Sequence, residues 1–156
     1  MDNLSELVRG GTLCLSKAGV AIGGTTSKVK ILAPNGAGVD FAIAGKLYHK
    51  ADGDDIFTLT GAALTALYST LYLLCLNASG TASVVRGSDV LTASVALGVP
   101  LYWPTPVAST CPVAAVRIDA GADAFTPGTT ALTGGTVTVT YYDLFAVPDT
   151  PIVAAP

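Results

Sequence analysis

Hydrophobic and polar positions alternate with a period of two in many short segments of this chain. Val39–Ile43 is the clearest case, because its large apolar side chains alternate with small or polar ones, as in a strand with one buried face. Ala44-Gly45 follows with residues suited to a tight turn, and Lys46–Lys50 supplies a return strand. The segment therefore predicts a β-hairpin.

Further segments of β-favouring residues lie between Gly, Pro, Asn and Asp. They predict strands at Thr12–Ser16, Lys28–Leu32, Ile56–Leu59, Pro112–Asp119 and Thr136–Tyr142. In the last of these, threonines alternate with Val137, Val139 and Tyr141. We expect that strand to have one hydroxyl face and one apolar face.

The most apolar hairpin lies in the sequence YLLCLNASGTASVV, residues 72–85. Leu71–Leu76 forms its first strand, Asn77–Gly80 its turn, and Thr81–Arg86 its return strand. The first strand has no polar face. A strand in a two-layer sandwich can be apolar throughout if its outer face meets a neighbouring subunit, which is the arrangement we expect.

Helical patterns are short and few. Residues 1–10 could form a helix capped by Asp2 or Asn3, and Gly61–Ser69 has helical spacing for one or two turns. Ser88-Asp89 could cap another short helix over Val90–Leu97. The last ten residues, VPDTPIVAAP, contain prolines that a sheet does not tolerate, so they predict an extended arm.

The pattern as a whole predicts an all-β chain, a β-sandwich or barrel with one or two short helices and extended termini. Its 156 residues suffice for one domain with a sizeable core. We expect residues 1–10 to be an N-terminal arm or short helix, 11–145 the β-sandwich domain, and 146–156 a Pro-rich C-terminal arm.

Charge is scarce. Charged residues make up 12% of the chain, against about 25% in typical soluble domains. The apolar runs end well short of the roughly 18–20 residues of a membrane-spanning helix, and MDNLSELVRGG is unlike a secretory signal. We therefore expect a soluble protein made in the cytoplasm, with no membrane partner. Surfaces so poor in charge are expected to lie against other subunits, so we expect obligate assembly.

The charged and thiol-bearing residues do not form a recognisable site. The eight Lys and Arg are scattered and the net charge is −3, so no basic surface indicates a nucleic-acid partner. Cys14, Cys75 and Cys111 lie in apolar contexts and are expected to be buried small hydrophobes rather than a disulfide framework.

Candidate chemistry is equally sparse. The acidic cluster of residues 52–55 could hold Ca²⁺, but it lacks the alternating ligands of a calcium loop, and a solvated turn is favoured. His49 is the sole histidine, and no nucleophile motif accompanies it. No glycine pattern predicts a phosphate site. We expect no catalytic, cofactor-binding or metal-binding residues, hence no enzyme.

The only Trp lies in the sequence LYWPTP, between a Tyr and two prolines. Such a loop can present an interface anchor, because Trp and Tyr bury much area at small entropic cost. It can also pack over the open end of a sandwich, which is the interpretation we favour, although both remain open. The candidate interface residues are Tyr102, Trp103, Pro104, Val147, Pro148 and Pro151.

Three stretches, LLCLNASGTASVVRG, CPVAAVRIDAGADAFTPGTTAL and VTVTYYD, resemble a group of small virion proteins of tailed bacteriophages. FAIAGKLYHKADGDDIFTLTG is similar to the upstream part of that pattern, and the resemblance covers roughly residues 20–145. It implies a β-sandwich or jelly-roll protein without catalytic activity that decorates or cements the capsid shell. The partners it implies are the major capsid protein and further copies of this chain, as a homodimer or homotrimer. Assembly in the host cytoplasm would place it on the capsid surface of the virion.

A second hypothesis concerns a different part of the same kind of virus. The chain could form the base of a head fibre, a tail component or a receptor-binding module, for which Tyr102 and Trp103 would be the best platform. Copy number separates the two hypotheses, because tail and fibre parts are present in far fewer copies than a decoration protein.

Overall fold

One large antiparallel sheet faces two small ones in a sandwich-like arrangement. The computed structural model describes residues 11–32, 38–135 and 137–145, and within them the chain forms eleven strands and one short helix. The prediction of an all-β, sandwich-like fold is confirmed.

The large sheet contains the longest strands of the chain. Its strand order is β11-β10-β7-β8, with β7 at Tyr68–Asn77, β8 at Ala82–Arg86, β10 at Thr110–Ala120 and β11 at Val137–Asp143. The short β9, Val90–Leu91, pairs with the start of β7. Helix α1, Thr92–Ala96, follows directly.

The opposite layer consists of two three-stranded sheets. One has the order β1-β4-β5, formed by Leu13–Cys14, Val39–Ile43 and Lys46–Lys50. The other has the order β2-β3-β6, formed by Val20–Ile22, Lys28–Ile31 and Gly53–Thr58. Strands β1 and β4 contact β10, β2 contacts β11, and β6 contacts β8, so both small sheets lie against the large one.

The main core fills the space between the layers. Tyr72 and Leu74 of β7 and Ile118 of β10 meet Phe41 and Phe57 of the small sheets, and all five side chains are fully buried. Burial of each such side chain contributes about 1.5–3 kcal/mol to folding. Alternation along each strand thus sends one set of side chains into this core.

The other face of β7 is also buried. Leu71, Leu73 and Cys75 form a second cluster with Ala115 of β10. This cluster is covered by partly buried side chains of the same chain, namely Val85, Trp103, Tyr142 and Leu144. The expectation that a neighbouring subunit covers the outer face of this strand is therefore wrong, because the chain covers that face itself.

The two predicted hairpins are confirmed. Strands β4 and β5 have the predicted bounds, and Ala44 and Gly45 between them have φ values of 50° and 78°. Two successive positive φ values are typical of the type I′ turn, whose twist matches that of the strands. In the β7–β8 turn, the side-chain oxygen of Asn77 accepts hydrogen bonds from the backbone N–H groups of Ser79 and Thr81, at 3.0 and 2.8 Å.

The helical predictions within the described residues need correction. Gly61–Ser69 contains no helix, because Leu64 forms a two-way backbone bridge with Phe125 at 2.8 and 2.9 Å. The helix predicted over Val90–Leu97 is shorter, since Val90–Leu91 pairs with β7. The Ser88-Asp89 cap is also wrong: Asp89 forms an ion pair with Arg86 at 2.6 Å instead.

Most other differences concern strand ends. The strand predicted at Thr12–Ser16 is reduced to β1, β6 begins earlier than predicted, and β2 was not predicted at all. Strands β3, β10 and β11 lie where predicted, with shifted ends. The predicted helix in residues 1–10 and the predicted arm at 146–156 lie outside the described residues.

Candidate functional site

An apolar groove lies between β1 and the loop of residues 103–110. Its volume is about 560 Å³, and its walls are residues 12–14, the 103–110 loop, Pro112 and residues 144–145, together with Leu73. None of these described lining residues carries a charge at neutral pH. Burial raises the pKa of the Cys14 thiol to about 11, so this side chain is neutral as well. The groove is therefore suited to an apolar occupant.

Trp103 holds the loop on the outer face of the large sheet. Its ring lies 6.4 Å from that of Tyr142, at an interplanar angle of 83°. This edge-to-face geometry is favoured by the charge distribution of aromatic rings. Burial raises the pKa of Tyr142, and the nearby Arg117 opposes that shift, so the phenol stays neutral at physiological pH.

The far end of the loop is held by a tight turn. The hydroxyl of Thr110 donates to the carbonyl oxygen of Val107 at 2.7 Å, and the backbone N–H of Thr110 approaches the same oxygen at 3.3 Å. Ser109 lies between them with a φ of 59°. Two prolines, Pro104 and Pro106, further restrict the loop. The groove is thus framed by a stiff wall.

Exposed apolar side chains surround the groove. Leu13, Val107 and Phe145 line it and are 45%, 47% and 55% exposed. Leu13 is in register with Ala42 on β4, which in turn is in register with Leu47 on β5. Leu47 is 75% exposed. We call Leu13, Leu47, Val107 and Phe145 the groove rim; it extends the apolar surface onto the outer face of the β1-β4-β5 sheet, as far as the exposed Asp40–His49 pair.

A second apolar surface, which we call the α1 patch, lies around β9 and α1. It comprises the exposed side chains of Leu67, Leu91, Leu97 and Val99. The patch adjoins Tyr68 at the start of β7, opposite Leu91, whereas Thr110 of the groove lies opposite Asn77 at the end of that strand. At about 3.3 Å per residue, the two ends of β7 are roughly 30 Å apart. The groove rim and the α1 patch are therefore two separate surfaces.

The largely buried ion pair between Arg117 and Asp119 lies outside the groove. The guanidinium of Arg117 binds the Asp119 carboxylate at 2.8 Å, and both side chains are largely buried on the large sheet. Neither residue lines the groove. Buried pairs of this kind satisfy each other's charge inside the fold.

The acidic cluster and His49 form local contacts. Asp54 pairs with Lys30 at 3.7 Å, and Asp55 accepts a hydrogen bond from the backbone N–H of Thr25 at 2.9 Å. The hydroxyl of Thr25 also bonds to Asp55 and lowers the pKa of that carboxyl. His49 Nδ1 lies 2.7 Å from Asp40 on an exposed face. Among the described residues, no group of three or more His, Cys, Asp or Glu side chains could hold a metal ion.

The structure places the predicted interface residues in different environments. Trp103 and Pro104 line the groove, whereas Tyr102 is 64% exposed and does not. Val147, Pro148 and Pro151 lie outside the described residues. Trp103 packs against Tyr142 on the outer face of the large sheet and not over the open end of the sandwich, as the packing interpretation had it. Its role as an interface anchor stays a prediction.

Sequence reasoning missed the groove rim and the α1 patch. Leu13 and Leu15 flank Cys14, so period-2 alternation around that buried thiol could have identified them as outward-facing. The α1 patch had no such signal, because Leu91 and Leu97 were assigned to a longer helix. The burial predicted for Cys14, Cys75 and Cys111 is confirmed.

Neither a membrane-spanning helix in the described residues nor a match to a known protein was found. No helix within the described parts of the chain is long and apolar enough to cross a membrane. Comparison of the chain with protein-family models, with curated proteins and with solved structures found no match.

Proposed function

We propose that this chain is a structural protein of a tailed-phage virion that binds the outside of the capsid shell as a homo-oligomer and cements neighbouring capsid subunits. The observation that carries the proposal is the pair of exposed apolar surfaces toward opposite ends of β7. A subunit with two such surfaces can bind two neighbours at once. The sequence resemblance supports the same function.

The side chains in these surfaces are large enough to hold a subunit in place. Full burial of a wholly exposed Leu or Phe contributes about 1.5–3 kcal/mol before the costs of association. The side chains of the two surfaces are 40–88% exposed, so each gains the corresponding part of this energy. The groove rim and the α1 patch each contain four exposed apolar residues. Symmetry repeats each contact over a shell, so moderate contacts add up to a stable layer.

The chemistry of the groove favours a protein partner. Its described lining residues carry no charge and include three prolines, a tryptophan and several aliphatic side chains. Recognition of sugars, phosphates or nucleic acid requires convergent polar or basic groups. An apolar segment of a neighbouring polypeptide satisfies this surface better.

A receptor-binding module, head-fibre base or tail component is the second candidate. Tyr102 favours it, because this aromatic side chain is 64% exposed next to Trp103. Aromatic side chains at the surface are common anchors in recognition sites. A module of this kind would be present in few copies per particle.

Copy number in purified virions tests the proposal. Quantitative mass spectrometry of intact particles is expected to find this chain at a level comparable to the major capsid protein. A level comparable to tail proteins would favour the second candidate. Virions that lack the chain altogether would contradict both.

A further inference from the structure

The groove lies where the pairing of β10 with β11 ends, although β10 continues to pair with β7 there. Strand β11 pairs with residues 114–120 of β10, and its partner for Ala114 is Asp143. The first residues of β10 extend beyond this pairing, and Thr110 and Pro112 line the groove. On the other side, β1 is the outer strand of its own sheet. The groove is thus a slot between two strand edges, where an extended segment fits.

The C-terminal segment, residues 146–156, matches the chemistry of the groove. Its sequence AVPDTPIVAAP contains one charged side chain, Asp149, and is otherwise aliphatic, proline or threonine. Proline-containing extended segments bind grooves lined by aromatic side chains because they are already ordered before binding. The 103–110 loop supplies Trp103 and two prolines as such a wall.

The N-terminal segment is a poorer match, although it also starts beside the groove at Thr12. Residues 1–10 carry the charged side chains of Asp2, Glu6 and Arg9. The described groove residues offer no opposite charge to any of them. Burial of an unpaired charge is costly, and the C-terminal segment carries one charged side chain, Asp149, against these three, so the charge pattern favours the C-terminal segment.

A second copy fits better than the segment's own subunit. Phe145 lies at the groove wall, and the sequence that follows it contains Pro148, Pro151 and Pro156, a composition that favours extended over helical conformations. An extended proline-containing segment advances about 3.1 Å per residue, so the eleven residues that follow Phe145 in the sequence are long enough to reach a neighbouring copy. Moreover, one extended segment in the groove would leave part of the groove rim exposed, whereas a second copy can bury the rim as well.

We propose that the C-terminal segment of a second copy binds in the groove, so that copies of this chain exchange segments within the homo-oligomer. The inference rests on the homo-oligomer of the proposed function and names the contact that forms it. Exchange of this kind is reciprocal in a dimer and cyclic in a trimer, and in both cases every groove is filled.

Complementation between two defective variants tests the proposal. The first variant is truncated after Phe145 and keeps its groove; the second carries Val107→Lys, which places a charge at the groove wall, and keeps its segment. Val107 is 47% exposed, so the fold tolerates the change. Leu32→Lys, at a residue 52% exposed outside both apolar surfaces, is the matched control. Sedimentation velocity measures the mass of each species against the 15.6 kDa monomer.

The unmodified chain and the Leu32→Lys control are expected to self-associate with equal affinity. Each defective variant alone is expected to dissociate at least roughly tenfold more readily, and a mixture of the two is expected to form heteromers through the one intact segment and the one intact groove. An unchanged oligomer after truncation, or a mixture that forms no heteromer, would overturn the inference.

Binding to capsid shells is scored separately. If the chain binds shells as a monomer, the segment exchange is wrong and the binding of the chain to shells is supported. If the chain exchanges segments but does not bind shells, the exchange is supported and the proposed function is wrong.

Discussion

Trp103 and Tyr142 meet edge to face, with ring centroids 6.4 Å apart and planes inclined by 83°. Tyr142 belongs to β11 and Trp103 to the loop that crosses the outer face of the large sheet. Together with Leu144 they cover the second hydrophobic cluster of β7 and β10. The same contact therefore seals the fold and shapes one wall of the groove.

Loss of this contact should destabilise the fold. Trp103→Ala is expected to lower the free energy of unfolding by about 2–4 kcal/mol, because a large half-buried aromatic side chain leaves a void over the cluster. Tyr102→Ala is the matched control and should change stability by less than about 0.5 kcal/mol, since this side chain is exposed. Urea denaturation of the three proteins measures both effects. Equal stabilities would show that Trp103 does not pack as described.

The β4–β5 turn offers a test of backbone conformation. Ala44 has a φ of 50°, which an L side chain adopts at a cost of about 1–2 kcal/mol. Ala44→Asn should therefore stabilise the protein by about 0.5–1 kcal/mol, because Asn tolerates this conformation in type I′ turns. Gly45→Ala, at φ 78° with open space around the position, should destabilise it by about 1 kcal/mol. Thermal unfolding should show a higher melting temperature for Ala44→Asn and a lower one for Gly45→Ala. Shifts in the same direction for both variants would contradict the type I′ turn.

The buried thiol of Cys14 makes stability fall in alkaline solution. Burial raises its pKa from 9.0 to about 11, so the unfolded chain loses this proton first as the pH rises. The thiol is neutral in both states below pH 9 and has no effect there; between pH 9 and about 11 it favours unfolding. At pH 10 the loss should be about 1 kcal/mol.

Cys14→Ala isolates this effect from other titrating groups. The difference in unfolding free energy between the unmodified chain and this variant should shrink from pH 8 to pH 10. A difference that stays constant over that range would mean that the thiol is accessible to water.

Local patterns in the sequence predicted local structure well. The β4–β5 hairpin has its predicted bounds because alternation and turn residues lie within a dozen positions of one another. The helix predicted at Gly61–Ser69 is wrong because two long-range contacts determine the conformation of this segment. The backbone of Leu64 forms hydrogen bonds with that of Phe125, and the backbone N–H of Leu67 donates to the Gly121 carbonyl. Nothing in the segment itself reveals either partner.

The candidate site was predictable only in part. Residue type and flanking prolines identified Trp103 and Pro104, which line the groove. Leu13 and Phe145 were missed because their exposure depends on where β1 and β11 end relative to β10, and strand ends are set by tertiary pairing. The α1 patch was missed for the same reason, since β9 replaced the first turn of the predicted helix.

In the proposed function, the exposed apolar surfaces bind the chain to a capsid shell. Leu97→Lys and Leu32→Lys are a matched pair, because both residues are exposed, at 88% and 52%, and only Leu97 belongs to the α1 patch. Neither substitution should change the free energy of unfolding by more than about 0.5 kcal/mol.

Co-sedimentation with shells that lack the chain is the most direct measurement. The unmodified protein and Leu32→Lys are expected to pellet with the shells to the same saturating stoichiometry, while Leu97→Lys binds at least roughly tenfold more weakly. An unmodified chain that remains monomeric in the supernatant at every concentration would contradict the account.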